Sequence, residues 1–275
     1  MLSLLAACAE DYTPSDSQSK LVVEGWIEDG GFPVVILTKT FPVNSEIMRE
    51  EDLSDYMLRW AKVTVSDGED SVVLTGKYDA GYFPPYIYTT SRLKGMAGKC
   101  YTLTVEYRDE KATAVTTIPQ APADCSFVIE KCASSDTLYQ MTARFEDNPD
   151  EKNYYQFFTR VGSQTKQYLA AYLGSIDDEV IGSGVTEVPV YRGHQLGRES
   201  YTPYYSIDDT VSVKFAQVDE TSFRIWDNYT KILSLSGNLF LPVYTTLPTN
   251  IIGGYGYWCG YGAVTKYFVI HENIK

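Results

Sequence analysis

Across residues 60–120 apolar and polar side chains alternate in short runs, each run ended by a turn of Gly, Asp or charged residues, and this period of two constrains the fold most. In "AKVTVSDGEDSVVLTGKYD" Val63, Val65, Val72 and Leu74 alternate with more polar residues around Asp67-Gly68. In "LKGMAGKCYTLTVEYRDEKATAVTTIP" Leu103, Val105 and Tyr107 alternate, then Ala112, Ala114 and Thr116, with "RDE" at the turn. Successive side chains of a strand point to opposite faces, so this pattern predicts half-buried antiparallel hairpins. Upstream, "KLVVEGWIEDGGFPVVILTKTF" reads as two more strands around Asp29-Gly30-Gly31, where Gly supplies the positive φ that hairpin turns need. Between the hairpins, "EIMREEDLSDYMLRW" reads as a short helix or a covering loop. Leu93, Gly95 and Tyr101 precede an alternating strand in the manner of a tyrosine corner, and with about seven short strands in about 100 residues they predict an immunoglobulin-like antiparallel β-sandwich over residues 20–119.

Pro119 and "QAPAD" read as a linker, which agrees with the soft prior of about two domains for 275 residues. Beyond it "CSFVIEKC", "TLYQMTARFED", "YYQFFTRVG", "KQYLAAYLG", "TVSVKFAQV" and "AVTKYFVIH" read as strands, with "NPDEKN" as a turn. One segment departs from the period of two. In "DETSFRIWDNYTKILSLSG" Phe223, Trp226, Tyr229 and Leu233 fall near helical spacing, with Asp219 or Thr221 as cap and Gly237 as stop. Residues 120–275 are therefore expected to form a second, mostly antiparallel β domain with one short helix, giving an all-β fold class.

The formal charge of −13 repels phosphate backbones, and no basic stripe interrupts it, which excludes nucleic acid as an expected partner. Outside the opening no run approaches the ~20 apolar residues of a spanning helix. The opening itself, residues 1–19, reads as a truncated lipoprotein signal and tether. Leu5-Ala6-Ala7-Cys8 matches the bacterial lipobox, with Cys8 as the lipidated residue, and "PSDSQS" forms a polar tether. Several acyl chains make such an anchor durable. The first basic residue is Lys20, so the signal looks shortened at its start; the competing reading is an N-terminal strand with a buried free Cys.

Catalytic patterns are sparse. His194 and His271 lie in no HExxH motif, no nucleophile elbow or phosphate loop is present, and neither cofactor nor metal is expected. Cys100, Cys125, Cys132 and Cys259 form an irregular even set without CxxC, open to disulfides or to free thiols. Carboxylates cluster at "DNPDE" from Asp147, at Asp177, Asp178 and Glu179, and at Asp208 and Asp209; these read as solvated turns or as acid pairs of a hydrolase. Aromatic residues gather beside Pro and Gly in "YFPPYIY", "YTPYY" and "GYGYWCGY", which suggests loops. Tyr82, Tyr86, Tyr88, Tyr204, Tyr205, Tyr255, Tyr257 and Trp258 are the candidate ligand or partner contacts, because rigid aromatic faces stack on sugars or anchor partners.

Several phrases in order, "KLVVEGWIEDGGFPVVILTKTFPV", "VTVSDG", "FEDNPDEKNYYQF" and "SGNLFLPVYTTLPTNIIGGYGYWCGYG", resemble the Bacteroidetes lipoproteins of domain-of-unknown-function family 4249. Glu10-Asp11 after the Cys is similar to the surface-export signal of such lipoproteins. The resemblance implies an outer-membrane lipoprotein facing the cell exterior and association with a TonB-dependent transporter; it implies no activity or catalytic residue. The expected function is non-enzymatic binding of a glycan, a peptide or a transporter subunit in nutrient uptake. An envelope hydrolase with paired carboxylates and an adhesive or structural surface subunit are the alternatives.

Overall fold

The computed structural model describes residues 19–40, 56–148, 150–178, 181, 184–193, 201–235 and 247–271. In chain order the strands are β1 (Leu21–Glu28), β2 (Val34–Lys39), β3 (Lys62–Ser66), β4 (Ser71–Val73), β5 (Thr75–Tyr78), β6 (Tyr86–Thr89), β7 (Cys100–Tyr107), β8 (Glu110–Thr117), β9 (Ser126–Lys131), β10 (Leu138–Glu146), β11 (Tyr154–Val161), β12 (Leu169–Asp177), β13 (Val185–Val190), β14 (Tyr205–Ser206) and β15 (Thr210–Gln217). Helix α1 (Glu220–Leu235) and strand β16 (Tyr255–Val269) follow. The fold is mostly β and antiparallel. Eight strands form one long sheet in the order β12-β11-β15-β16-β1-β2-β6-β5, and two four-stranded sheets, β4-β3-β7-β8 and β13-β10-β14 with β9 on β10, complete it.

Strand alternation assigns each sheet face its task. On β1, Leu21, Val23 and Ile27 are fully buried in a core shared with Val63, Val65, Leu103 and Val105 of the β4-β3-β7-β8 sheet. On β15, Val211, Val213 and Phe215 join Met141, Ala143 and Phe145 of β10 in a second core. Trp258 belongs to the first core and Val264 packs on the second, six positions further along β16, so both cores lie on one face of the long sheet. Alternate residues Cys259, Tyr261 and Ala263 point to the opposite, outer face, where α1 packs.

The sandwich expected over residues 20–119 is formed by β1, β2, β6 and β5 against β4, β3, β7 and β8. Its tyrosine corner is present: the Tyr101 hydroxyl accepts from the Met96 N–H at 2.9 Å and donates to the Lys94 carbonyl at 3.3 Å. Gly95 is required between them because a Cβ there would stand 2.1 Å from the Glu28 carbonyl oxygen. The long sheet takes strands from both sides of Pro119, and β16 is the spine that joins them. Its first half pairs parallel with β1, from Val22↔Tyr255 to Glu28↔Tyr261; its second half pairs antiparallel with β15, from Gln217↔Gly262 to Thr210↔Val269.

"GYGYWCGY" is thus strand and not loop. Glycine weakens a strand unless another backbone comes close, and here one does. Gly256 has φ +102°, and a Cβ on it would lie 1.9 Å from the Val23 carbonyl oxygen. The unpaired side of this half-strand is satisfied by side chains: Asn250 bonds both the N–H and the carbonyl of Trp258, Thr249 donates to the Gly256 carbonyl, and Thr116 accepts from the Gly260 N–H. Gly256→Ala is expected to cost about 2 kcal/mol, from left-handed strain and displacement of β1, read as a lowered urea midpoint.

The helix expected from Phe223, Trp226 and Tyr229 is α1, with Asp219 as its cap: the Asp219 carboxylate accepts from the Ser222 N–H at 2.7 Å. The same carboxylate accepts from the Thr116 hydroxyl at 3.1 Å, tying the helix start to β8. Leu233 belongs to the helix by backbone, while the stop at Gly237, most of "EIMREEDLSDYMLRW" and residues 1–18 with Cys8 lie outside the described residues.

Candidate functional site

The outer face of the long sheet carries alternate residues of seven strands, and its concave part forms a cleft of about 400 Å³. Trp26 and Glu28 of β1, Phe158 of β11, Lys214 of β15 and Tyr257 and Tyr261 of β16 make the floor. Trp226 of α1 forms one wall, with its ring 4.8 Å from Tyr257 and 5.2 Å from Phe158. The loop between β5 and β6 contributes Asp79 and Tyr82, and the loop between β11 and β12 contributes Lys166, Gln167 and Tyr168.

These two loops belong to opposite ends of the eight-stranded sheet, yet they meet, as the accumulated twist of a wide sheet allows. Lys166 N–H donates to the Gly81 carbonyl at 2.7 Å, Phe83 N–H donates to Gln167 Oε1 at 3.0 Å, and the Lys166 ammonium reaches both Asp79 oxygens at 3.1 and 2.9 Å. The Asp79 carboxyl is held below its usual range by Lys166 first and by the Gly81 N–H. The clasp closes one side of the cleft and fixes Tyr82, whose ring lies 6.1 Å from Trp26 at an interplanar angle of 40°.

The electrostatic centre is Lys214. It is nearly buried, pairs with Glu28, and sits 4.1 Å from the centre of the Tyr168 ring, which Arg160 also approaches at 4.9 Å. Burial of the Tyr168 phenol raises its pKa, so the ring stays neutral and its hydroxyl is shared with Ser212 at 2.7 Å. Pairing and a ring face together compensate an ammonium taken out of water.

A second acid shares the outer face. Glu24, two positions before Trp26, is half-buried beside Tyr229 and Tyr257 and has no ion-pair partner among the described residues. Desolvation raises its pKa from 4.5 to about 7. A carboxyl with a raised folded pKa supports the fold fully below the unfolded value, and that support is lost as pH rises through the folded one. Stability is therefore expected to fall between pH 4.5 and about 7. Glu24→Gln should flatten this slope and raise the urea midpoint above pH 7, measured by unfolding across the range.

The chain matches the family model described as Domain of unknown function (DUF4249) over residues 10–267. It belongs to this family. No curated protein matches the sequence significantly. In this DUF4249 member the structure brings only two of the eight expected contact aromatics, Tyr82 and Tyr257, to the cleft. Tyr88, Tyr205 and Trp258 are core residues, at 2 %, 0 % and 0 % exposure, so they are corrected from loop contacts to packing. Tyr88 lies on β6, and its hydroxyl donates to the Leu58 carbonyl at 2.7 Å. Tyr86 is half-buried on the same strand and donates to the Arg59 carbonyl. Tyr204 is half-buried against Tyr191, and Tyr255 is exposed beneath the Lys20 ammonium, away from the cleft.

Trp26, Tyr168, Tyr261 and Trp226 were not among the expected contacts. Their signal lay in β1, where "EGWIE" puts a tryptophan between two glutamates on the polar face of an alternating strand. The four later cysteines are free thiols, with Cys125 and Cys259 buried. No cluster of three or more potential metal ligands occurs among the described residues. His271 is exposed, and His194 lies outside the described residues. Two acidic stretches do converge: Asn153 donates to Asp147 and to Asp178, and the two carboxyls hydrogen-bond, which raises the Asp178 pKa.

Proposed function

We propose that this protein is a non-enzymatic binding component of a bacterial outer membrane, held by lipid on Cys8, that captures a ligand in the aromatic cleft for uptake through a TonB-dependent transporter. The observation that carries the binding half is the cleft itself: a concave site of ligand size, floored by aromatic rings and fixed by a hydrogen-bonded clasp. The lipobox and the family resemblance support the anchored half. No described helix is long and apolar enough to cross a membrane. The tether enters the fold at Leu21, and the cleft opens near Glu28, seven residues and roughly 20 Å along the same strand. A lipid-held protein would thus carry its cleft away from the point of attachment.

Cell fractionation tests the anchor: Cys8→Ala should move the protein from the outer membrane to the soluble fraction, and a variant that stays membrane-bound sinks this half. Protease applied to intact cells should cleave the wild-type protein. Crosslinked outer membranes should yield a transporter with the wild type, and recovery of no envelope protein would count against the partner.

A further inference from the structure

The charge of the cleft runs against that of the molecule. On a chain of net −13, the cleft lining contains three ammonium groups, Lys77, Lys166 and Lys214, and two carboxylates, Glu28 and Asp79. Arg160 stands behind Tyr168, outside this lining. Lys77 and Lys166 share a single carboxylate, Asp79, so one positive charge there is uncompensated. Beside these cations Trp26 and Tyr82 present tilted aromatic faces.

We infer that the cleft selects an acidic oligosaccharide, the sugar faces lying on Trp26 and Tyr82 and a uronate carboxylate meeting the Lys77–Lys166 pair. Aromatic faces suit the C–H face of a sugar ring, and an ammonium pair that shares one carboxylate suits a second, incoming one. An extended peptide would seek a strand edge for its backbone. The floor strands β1, β11 and β15 are each paired on both sides, and the free side of the Tyr255–Tyr261 half of β16 is occupied by bonds from Thr249, Asn250 and Thr116. The inference rests on the reading of the cleft as the ligand site and adds its chemical class.

Titration calorimetry of the whole soluble chain tests it, with trigalacturonate and a hyaluronan tetrasaccharide as acidic probes, galactotriose and cellotetraose as neutral ones, and a tetraglutamate peptide. At least one acidic sugar is expected to bind about tenfold more tightly than its neutral counterpart, as one charge-assisted contact supplies, and to weaken as salt is added. Lys166→Gln should abolish that preference. Lys77→Gln, on a half-exposed side chain, should reduce it and keeps the test readable if the first variant does not fold. Equal binding of neutral and acidic sugars overturns the acid selectivity and leaves the cleft as a ligand site. Binding of tetraglutamate alone overturns the saccharide class. Failure of every probe to bind overturns this inference and the cleft reading together.

Discussion

Trp258→Ala is expected to lower the free energy of unfolding by about 4 kcal/mol, in the range of buried Trp to Ala changes, and Tm by roughly 10 °C for a chain of this size. The side chain is fully buried on the inner face of β16, where it enters the core of the 20–119 sandwich from the other end of the chain. Its indole N–H donates to the Tyr101 carbonyl at 3.0 Å, beside the tyrosine corner. Across the parallel pair its ring lies on Gly25, where a Cβ would come within 2.8 Å of the indole. Alanine would therefore leave a cavity between β1 and β7 and lose the indole bond to Tyr101, while the Asn250 bonds to the backbone of residue 258 remain. Urea unfolding followed by the remaining tryptophans checks this. A loss below about 1 kcal/mol would mean that the site collapses around the cavity and that β16 is held by its backbone ladder alone.

That strand shows where the sequence is legible and where it is not. Local period and local caps read correctly: the hairpins at Asp29-Gly30-Gly31 and Asp67-Gly68, the alternation of Leu103 and Val105, the tyrosine corner at Tyr101 and the Asp219-capped helix all depend on neighbours within a few residues. "GYGYWCGY" reads as a loop because its glycines signal flexibility when the approaching backbone is unknown; that backbone is β1, more than 200 residues earlier. The parallel β1–β16 pair has no local signal, since a parallel partner is never joined by a tight turn. The cleft is illegible for the same reason. Its residues come from seven strands, a helix and three loops, and Trp26 or Tyr261 looks like any core aromatic until the sheet's two faces are told apart. Tyr82 was legible because "YFPPY" does form the loop its prolines imply.

The second large effect is expected at the floor of the cleft. Glu28→Ala should cost about 3 kcal/mol, because it leaves the Lys214 ammonium nearly buried with only the Tyr168 ring and a few dipoles around it. Lys214→Met should cost less, about 1 kcal/mol, since the abandoned Glu28 side chain is 25 % exposed and can turn to water. The double variant should lie close to Lys214→Met alone, as a methionine removes the charge that Glu28 exists to compensate and keeps the stem that packs on Tyr168. A double-mutant cycle by urea unfolding measures the coupling, expected at about 3 kcal/mol. Additive losses would show that the two groups do not interact, and that Lys214 is held by Tyr168 instead. If the pair is coupled, the cation facing the cleft is fixed before any ligand arrives, and the aromatic floor keeps one shape in the free and bound protein.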